Sequence, residues 1–133
     1  MHAYKRFLAE KNEYYTEKRY SKKIFPSLYF YLTHVLRIIL YSNRQAKKKI
    51  YDSINWVNSS IDILESIEKT GIKVSVTGID NLKKVEGPVI FVYNHMSILE
   101  TFLFPSFIHQ VKKIVYVIKK ELTTFPLFWP IAS

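Results

Sequence analysis

Cysteine is absent from the 133 residues. That excludes a disulfide scaffold, a thiol nucleophile and any cysteine-ligated zinc or iron–sulfur site, and it fits a reducing compartment. A secretory signal is also missing: Met1-His2-Ala3-Tyr4-Lys5-Arg6 is not followed by an apolar core and a small-residue cleavage site. The most apolar early stretch, Ile24 to Leu36, runs only 13 residues without a formal charge, whereas a membrane-spanning helix needs ~20. There is no internal repeat and no low-complexity tract. Acidic residues are scarce at the start. Residues 1–50 hold 12 Lys/Arg against 3 Asp/Glu, and residues 51–133 hold 8 of each, so the whole net charge of +9 sits in the first 50 residues. A basic, aromatic segment of this kind seeks an anionic surface, unless it is simply a solvated face. No recognised nucleic-acid module is present and the aromatics lie in apolar runs, so no nucleic-acid partner is expected.

What is present reads as helices followed by strands. Residues 1–23 are polar and basic, with four tyrosines interspersed, and suggest an arm or a short helix. From Ile24 to Tyr41, Leu28, Leu32, Val35 and Ile39 follow a 4-3-4 spacing, while His34, Arg37, Tyr41 and Arg44 lie on another face. Flanked by Lys22-Lys23 and Lys47-Lys48-Lys49, this amphipathic helix suits the headgroup layer of a membrane, or the surface of the rest of the domain. Ala46, Ile50, Ile54, Val57, Ile61, Leu64 and Ile67 recur at helical spacing over 46–70, and Gly71 is expected to end that helix. The period then changes to two. Ile72, Val74 and Val76 alternate with polar residues, as in a half-exposed strand, and Gly78 to Gly87 is turn-rich. The apolar runs Val89–Tyr93 and Ile114–Ile118 read as strands covered on both faces, with a helix over 98–108 that Pro105 ends or kinks. Strand, helix, strand is a βαβ unit, and the fold class expected is α/β.

In such sheets ligands bind at the carboxyl ends of the strands. The first buried strand runs into Asn94-His95-Met96-Ser97-Ile98-Leu99-Glu100. A histidine placed there is base-competent near neutral pH. Glu100 has two readings. It is either the carboxylate that orients His95, or the third residue of a capping box begun by Ser97.

Asn94-His95, then four residues and an acid, resembles the signature of the glycerol-phosphate and lysophosphatidic acid acyltransferase superfamily, whose acid is usually Asp. The neighbouring segments agree: Gly-Ile-Asp-Asn-Leu (Gly78–Leu82), Gly-Pro-Val-Ile-Phe-Val (Gly87–Val92), and Lys-Lys-Glu-Leu (Lys119–Leu122) with Phe125-Pro126-Leu127-Phe128 beyond it. The likeness covers roughly residues 71–131. It implies N-terminal helices followed by a partial acyltransferase-type sheet, with residues 1–70 as a basic, amphipathic, membrane-associating region and 71–133 as the first part of the acyltransferase domain. It implies His95 as general base for the acceptor hydroxyl, Glu100 as its orienting acid, Asn94 as a turn-fixing residue, and Lys119 and Lys120 as residues near the acceptor phosphate. The implied partners are a lysophospholipid such as lysophosphatidic acid, an acyl thioester (acyl-coenzyme A or acyl carrier protein) as co-substrate, and an anionic membrane surface on the cytoplasmic face. No metal or cofactor is implied.

Three departures accompany the likeness. The acid is Glu, Trp129 stands where the family often has glycine, and the family's later arginine-containing and Phe-Pro-Glu-Gly-Thr-Arg-Ser motifs do not occur. The sequence therefore carries two expectations: a phospholipid-synthesising acyltransferase, or a truncated, inactive, membrane-associated fragment of one.

Overall fold

A computed structural model describes residues 12–16, 27–94 and 99–121. In chain order the elements are β1 (Tyr14–Tyr15), α1 (Ser27–Lys47), α2 (Ser53–Lys69), β2 (Ser75–Val76), α3 (Ile79–Lys84) and α4 (Leu99–Ile108). Helices joined to a small sheet agree with a mixed α and β class at the coarse level. Of the N-terminal arm only residues 12–16 are described, and they carry β1 where an arm or short helix was expected; the Ser97 cap and the Phe125–Phe128 segment lie outside the described residues.

α2 is the centre of the fold. Its apolar residues recur at helical spacing, so Val57, Ile61, Leu64 and Ile67 fall on one stripe and are buried. α2 meets α4 and α3 in one core of Ile63, Leu64, Ile67, Ile79, Leu103 and Phe107. This core draws residues from both sides of position 70. The helix expected over 46–70 is in fact the end of α1, a break, and α2. Lys49 takes a left-handed φ of 57°. Asp52 then caps α2 by accepting from the Asn55 N–H at 2.8 Å, which satisfies one of the donors that every helix start leaves open. Gly71 follows the helix end with φ 90°, the left-handed conformation that suits glycine, and its N–H reaches the Glu68 carbonyl.

β1 and β2 form a two-stranded antiparallel sheet with Tyr14 opposite Val76 and Tyr15 opposite Ser75. The expected strand over 72–77 is reduced to these two residues. The pairing is fixed by Glu68, which is buried at the end of α2 and accepts from Tyr14 Oη and Thr16 Oγ1, both at 2.6 Å. A buried carboxylate needs such donors. The turn-rich stretch after Gly78 contains a short helix, α3, that places Ile79 in the core.

The expected βαβ unit is not formed among the described residues. Val89–Tyr93 and Ile114–Ile118 carry no regular secondary structure and belong to no sheet, and their burial alternates largely residue by residue, as along an extended chain. Ile90, Val92, Val115 and Val117 are 93%, 91%, 92% and 104% exposed. The intervening residues turn inward: Ile114 is buried, and the Tyr93 ring meets Phe104 edge-on at 4.7 Å. The physical reason is one of supply. A strand apolar on both faces needs a covering layer on each face and neighbours on its edges, and α4 covers one face only.

Candidate functional site

α4 is the element that carries the site, and it contains a proline. Pro105 has no N–H, so the Thr101 carbonyl one turn earlier loses its helical donor. Tyr116 Oη donates to that carbonyl at 2.9 Å. One position on, the buried Ser60 hydroxyl of α2 enters the helix ladder. It donates to the Phe102 carbonyl at 2.6 Å and accepts from the Ser106 N–H at 3.0 Å. Two hydroxyls from outside α4 thus satisfy what the proline disturbs, and the helix continues from Leu99 through Ile108. Burial, with Tyr93 nearby, pushes the Tyr116 phenol far above its ordinary range, so it remains a donor.

Held this way, the first turn of α4 presents Glu100 to an apolar cavity of about 400 Å³. The walls come from four elements: Val74 and Val76 around β2, Ile79 and Leu82 of α3, Phe91 of the first extended segment, and Leu103 and Phe107 of α4. Glu100 is half-buried there. These wall residues were not legible as a site in the sequence, because each looks like ordinary core. The only signal was the proximity of Gly78–Leu82 and Gly87–Val92 to the histidine motif.

The other expected site residues are distributed as follows. Asn94 is exposed at the end of the first extended segment, five positions before α4 begins. His95 lies outside the described residues, so its distance to Glu100 is not part of the geometry. Lys119 and Lys120 are exposed at the far end of the second extended segment, and neither lines the Glu100 cavity. Among the described residues, no group of three or more His, Cys, Asp or Glu side chains is placed to hold a metal ion.

A second cleft, of about 620 Å³, is lined by both extended segments and floored by Phe104 and Ile108 of α4. Lys112 Nζ bridges the segments at one end by donating to the Gly87 carbonyl at 3.1 Å.

α1 supplies a different surface. It packs on α2 through Tyr31 and Ile38 and through a hydroxyl cluster in which Ser42 and Ser59 approach to 2.9 Å beside Tyr51. Leu32, Leu36 and Leu40, with Tyr29 and Tyr41, remain exposed. The apolar face expected from Leu28, Leu32, Val35 and Ile39 is therefore divided: Val35 and Ile39 are half-buried, while Leu32 belongs to the outward stripe. Among the described residues no helix is long and apolar enough to cross a membrane.

No family model, curated protein or solved structure matches the chain.

Proposed function

We propose that this chain serves acyl transfer to a lysophospholipid at a membrane surface, with an acyl thioester of coenzyme A or acyl carrier protein as donor. The observation that carries the reading is the placement of Glu100, the acid of the Asn94-His95-x4-Glu100 motif, in the wall of an apolar cavity. A methylene chain gains about 0.8 kcal/mol for each CH₂ moved from water into such a lining. In this reading His95 takes the proton of the acceptor hydroxyl as that oxygen attacks the thioester carbon, and the thiolate departs. Glu100 holds the imidazole in one tautomer and supports its positive charge. Asn94 fixes the turn into the motif, and Lys119 and Lys120 attract the acceptor phosphate.

The membrane is the expected source of acceptor. Leu32, Leu36 and Leu40 form an exposed apolar stripe, with Arg37 and Arg44 within one turn of Leu40 and Lys47–Lys49 beyond. Such a helix lies in an anionic interface without spanning it, with its leucines in the acyl boundary and its cations at the headgroups. The cytoplasmic leaflet is the anionic surface this implies.

The experiment combines binding with turnover. A fluorescent long-chain acyl-coenzyme A is titrated against the protein, and transfer of a labelled acyl group to lysophosphatidic acid is followed in parallel. Val76→Trp, which fills the cavity wall, abolishes binding. His95→Ala leaves binding intact and lowers turnover by roughly 10²–10⁴-fold. An acyl thioester that does not bind rejects the cavity assignment. Saturable binding without transfer supports the second reading, an inactive membrane-associated fragment.

A further inference from the structure

The cleft between the two extended segments is independent of the acyl-transfer reading. Val89-Ile90-Phe91-Val92 and Val115, Val117 and Ile118 make no hydrogen bond through their backbone with any described residue. Their composition is β-branched and aromatic, the composition of a strand interior. Among the described residues, both segments are anchored on the α4 side. Ile114 N–H donates to His109 Nδ1, Tyr116 reaches the Thr101 carbonyl, and the Tyr93 ring meets Phe104 edge-on. The molecule therefore holds two runs of strand-ready backbone in place, facing an apolar floor, with their donors and acceptors open.

We infer that this cleft is a β-augmentation site that takes an extended apolar polypeptide strand, flanked by acidic residues, from outside these 133 residues. Three observations select that occupant. The open groups are backbone amides and carbonyls, and an acyl chain or detergent offers them no partner, whereas a strand offers one at every second residue. The floor and walls (Phe91, Phe104, Ile108, Ile114) are apolar and accept alternate side chains. The ends are basic: Lys112 and Lys113 line the cleft and Lys119 and Lys120 follow it, against Glu86 and Glu121. That charge favours acidic flanks and opposes a second copy, which brings the same lysines and a net charge of +9.

The test uses the whole 133-residue protein. The probe is a synthetic peptide of about six alternating valine and threonine residues, the usual strand length, flanked by glutamates. It is expected to bind saturably and to slow amide hydrogen exchange in 89–92 and 115–118. N-methylation of successive peptide amides weakens binding at least about tenfold, since each backbone hydrogen bond lost leaves a group unsatisfied. Lysine in place of the flanking glutamates weakens it in a salt-dependent way. In the protein, Val117→Pro and Ile118→Pro remove N–H groups that have no backbone partner among the described residues, so helix content by circular dichroism is unchanged. Their N–H groups point to opposite edges, so at least one of the two variants blocks pairing with the second segment; Ile90→Pro and Phe91→Pro test the first segment in the same way. Several results overturn the proposal. They are no saturable binding, equal binding of the N-methylated peptide, displacement of the peptide by lipid vesicles, or a dimer of the chain alone that Val117→Pro dissolves. The last result would make a second copy the occupant.

Discussion

α1 and α2 are both amphipathic helices of more than four turns, yet they spend their apolar residues in opposite ways. α2 buries Val57, Ile61, Ile63, Leu64 and Ile67, whereas the buried side chains described in α1 are polar, Ser42 and Asn43. Leu32, Leu36 and Leu40 of α1 are exposed. Hydrophobic periodicity therefore marks a face without saying what will cover it. In α2 the cover is α4 and α3. In α1 part of the helix is held by a hydroxyl cluster, and its leucine stripe remains available for another apolar phase.

The contrast is broken most directly by truncating one leucine in each helix. Leu64→Ala is expected to cost about 2–5 kcal/mol, because Leu64 is fully buried and leaves a cavity between α2 and α4. Leu36→Ala, at an exposed position, should cost less than about 0.5 kcal/mol. Chemical denaturation of both variants checks this, and equal losses would remove the distinction between the helices.

Ser60→Ala probes how α2 holds α4. It removes the hydroxyl between the Phe102 carbonyl and the Ser106 N–H. The expected cost is about 1–3 kcal/mol, the range for leaving buried polar groups without a partner. Ser59→Ala, in the half-buried α1 contact, should cost less.

The outward stripe is sharpened by a triple change, Leu32, Leu36 and Leu40 to Ser. Sedimentation with anionic vesicles should fall at least about tenfold, the equivalent of about 1.4 kcal/mol, while stability in the absence of lipid is nearly unchanged. A protein that binds vesicles as before would return α1 to an ordinary solvated helix.

The smallest expected effect is a pH slope on the α2 side of the molecule. Burial, aided by the charge of Lys113, holds the His109 imidazole below its ordinary pKa. Its Nδ1 accepts from the Ile114 N–H at 3.3 Å, and its ring meets Trp56. In the unfolded chain the group takes up a proton near pH 6.5. The unfolded state therefore binds more protons than the folded state just below that value, and stability falls as pH drops through it. Above it the contribution is constant. His109→Asn should flatten the slope between pH 7 and the depressed folded value. An unchanged slope would place the titrating group elsewhere.

The sequence by itself determined the elements whose signals are local. The spacing from Val57 to Ile67 specifies the buried face of α2, and Gly71 specifies where that helix stops. The polar and basic character of the early chain is also plain in the residues. The break at Lys49 and the cap at Asp52 were local too, but a continuous helical spacing from Ala46 masked them. The site motif was legible as far as Asn94, His95 and Glu100 in order, together with the two readings of Glu100. Tertiary structure alone decided what each face meets. It brings Tyr14 beside Val76 and Glu68 through partners more than fifty residues apart, which no periodicity encodes. It makes Pro105 tolerable by delivering Ser60 and Tyr116 to a disturbed ladder, and it assembles the cavity around Glu100 from four separated segments. It also leaves Val89–Val92 and Val115–Ile118 without a ladder, although their composition reads as buried strand. A strand's sequence states which neighbours it needs, but the neighbours must come from elsewhere in space, and among the described residues α4 provides one covering face and no pairing edge.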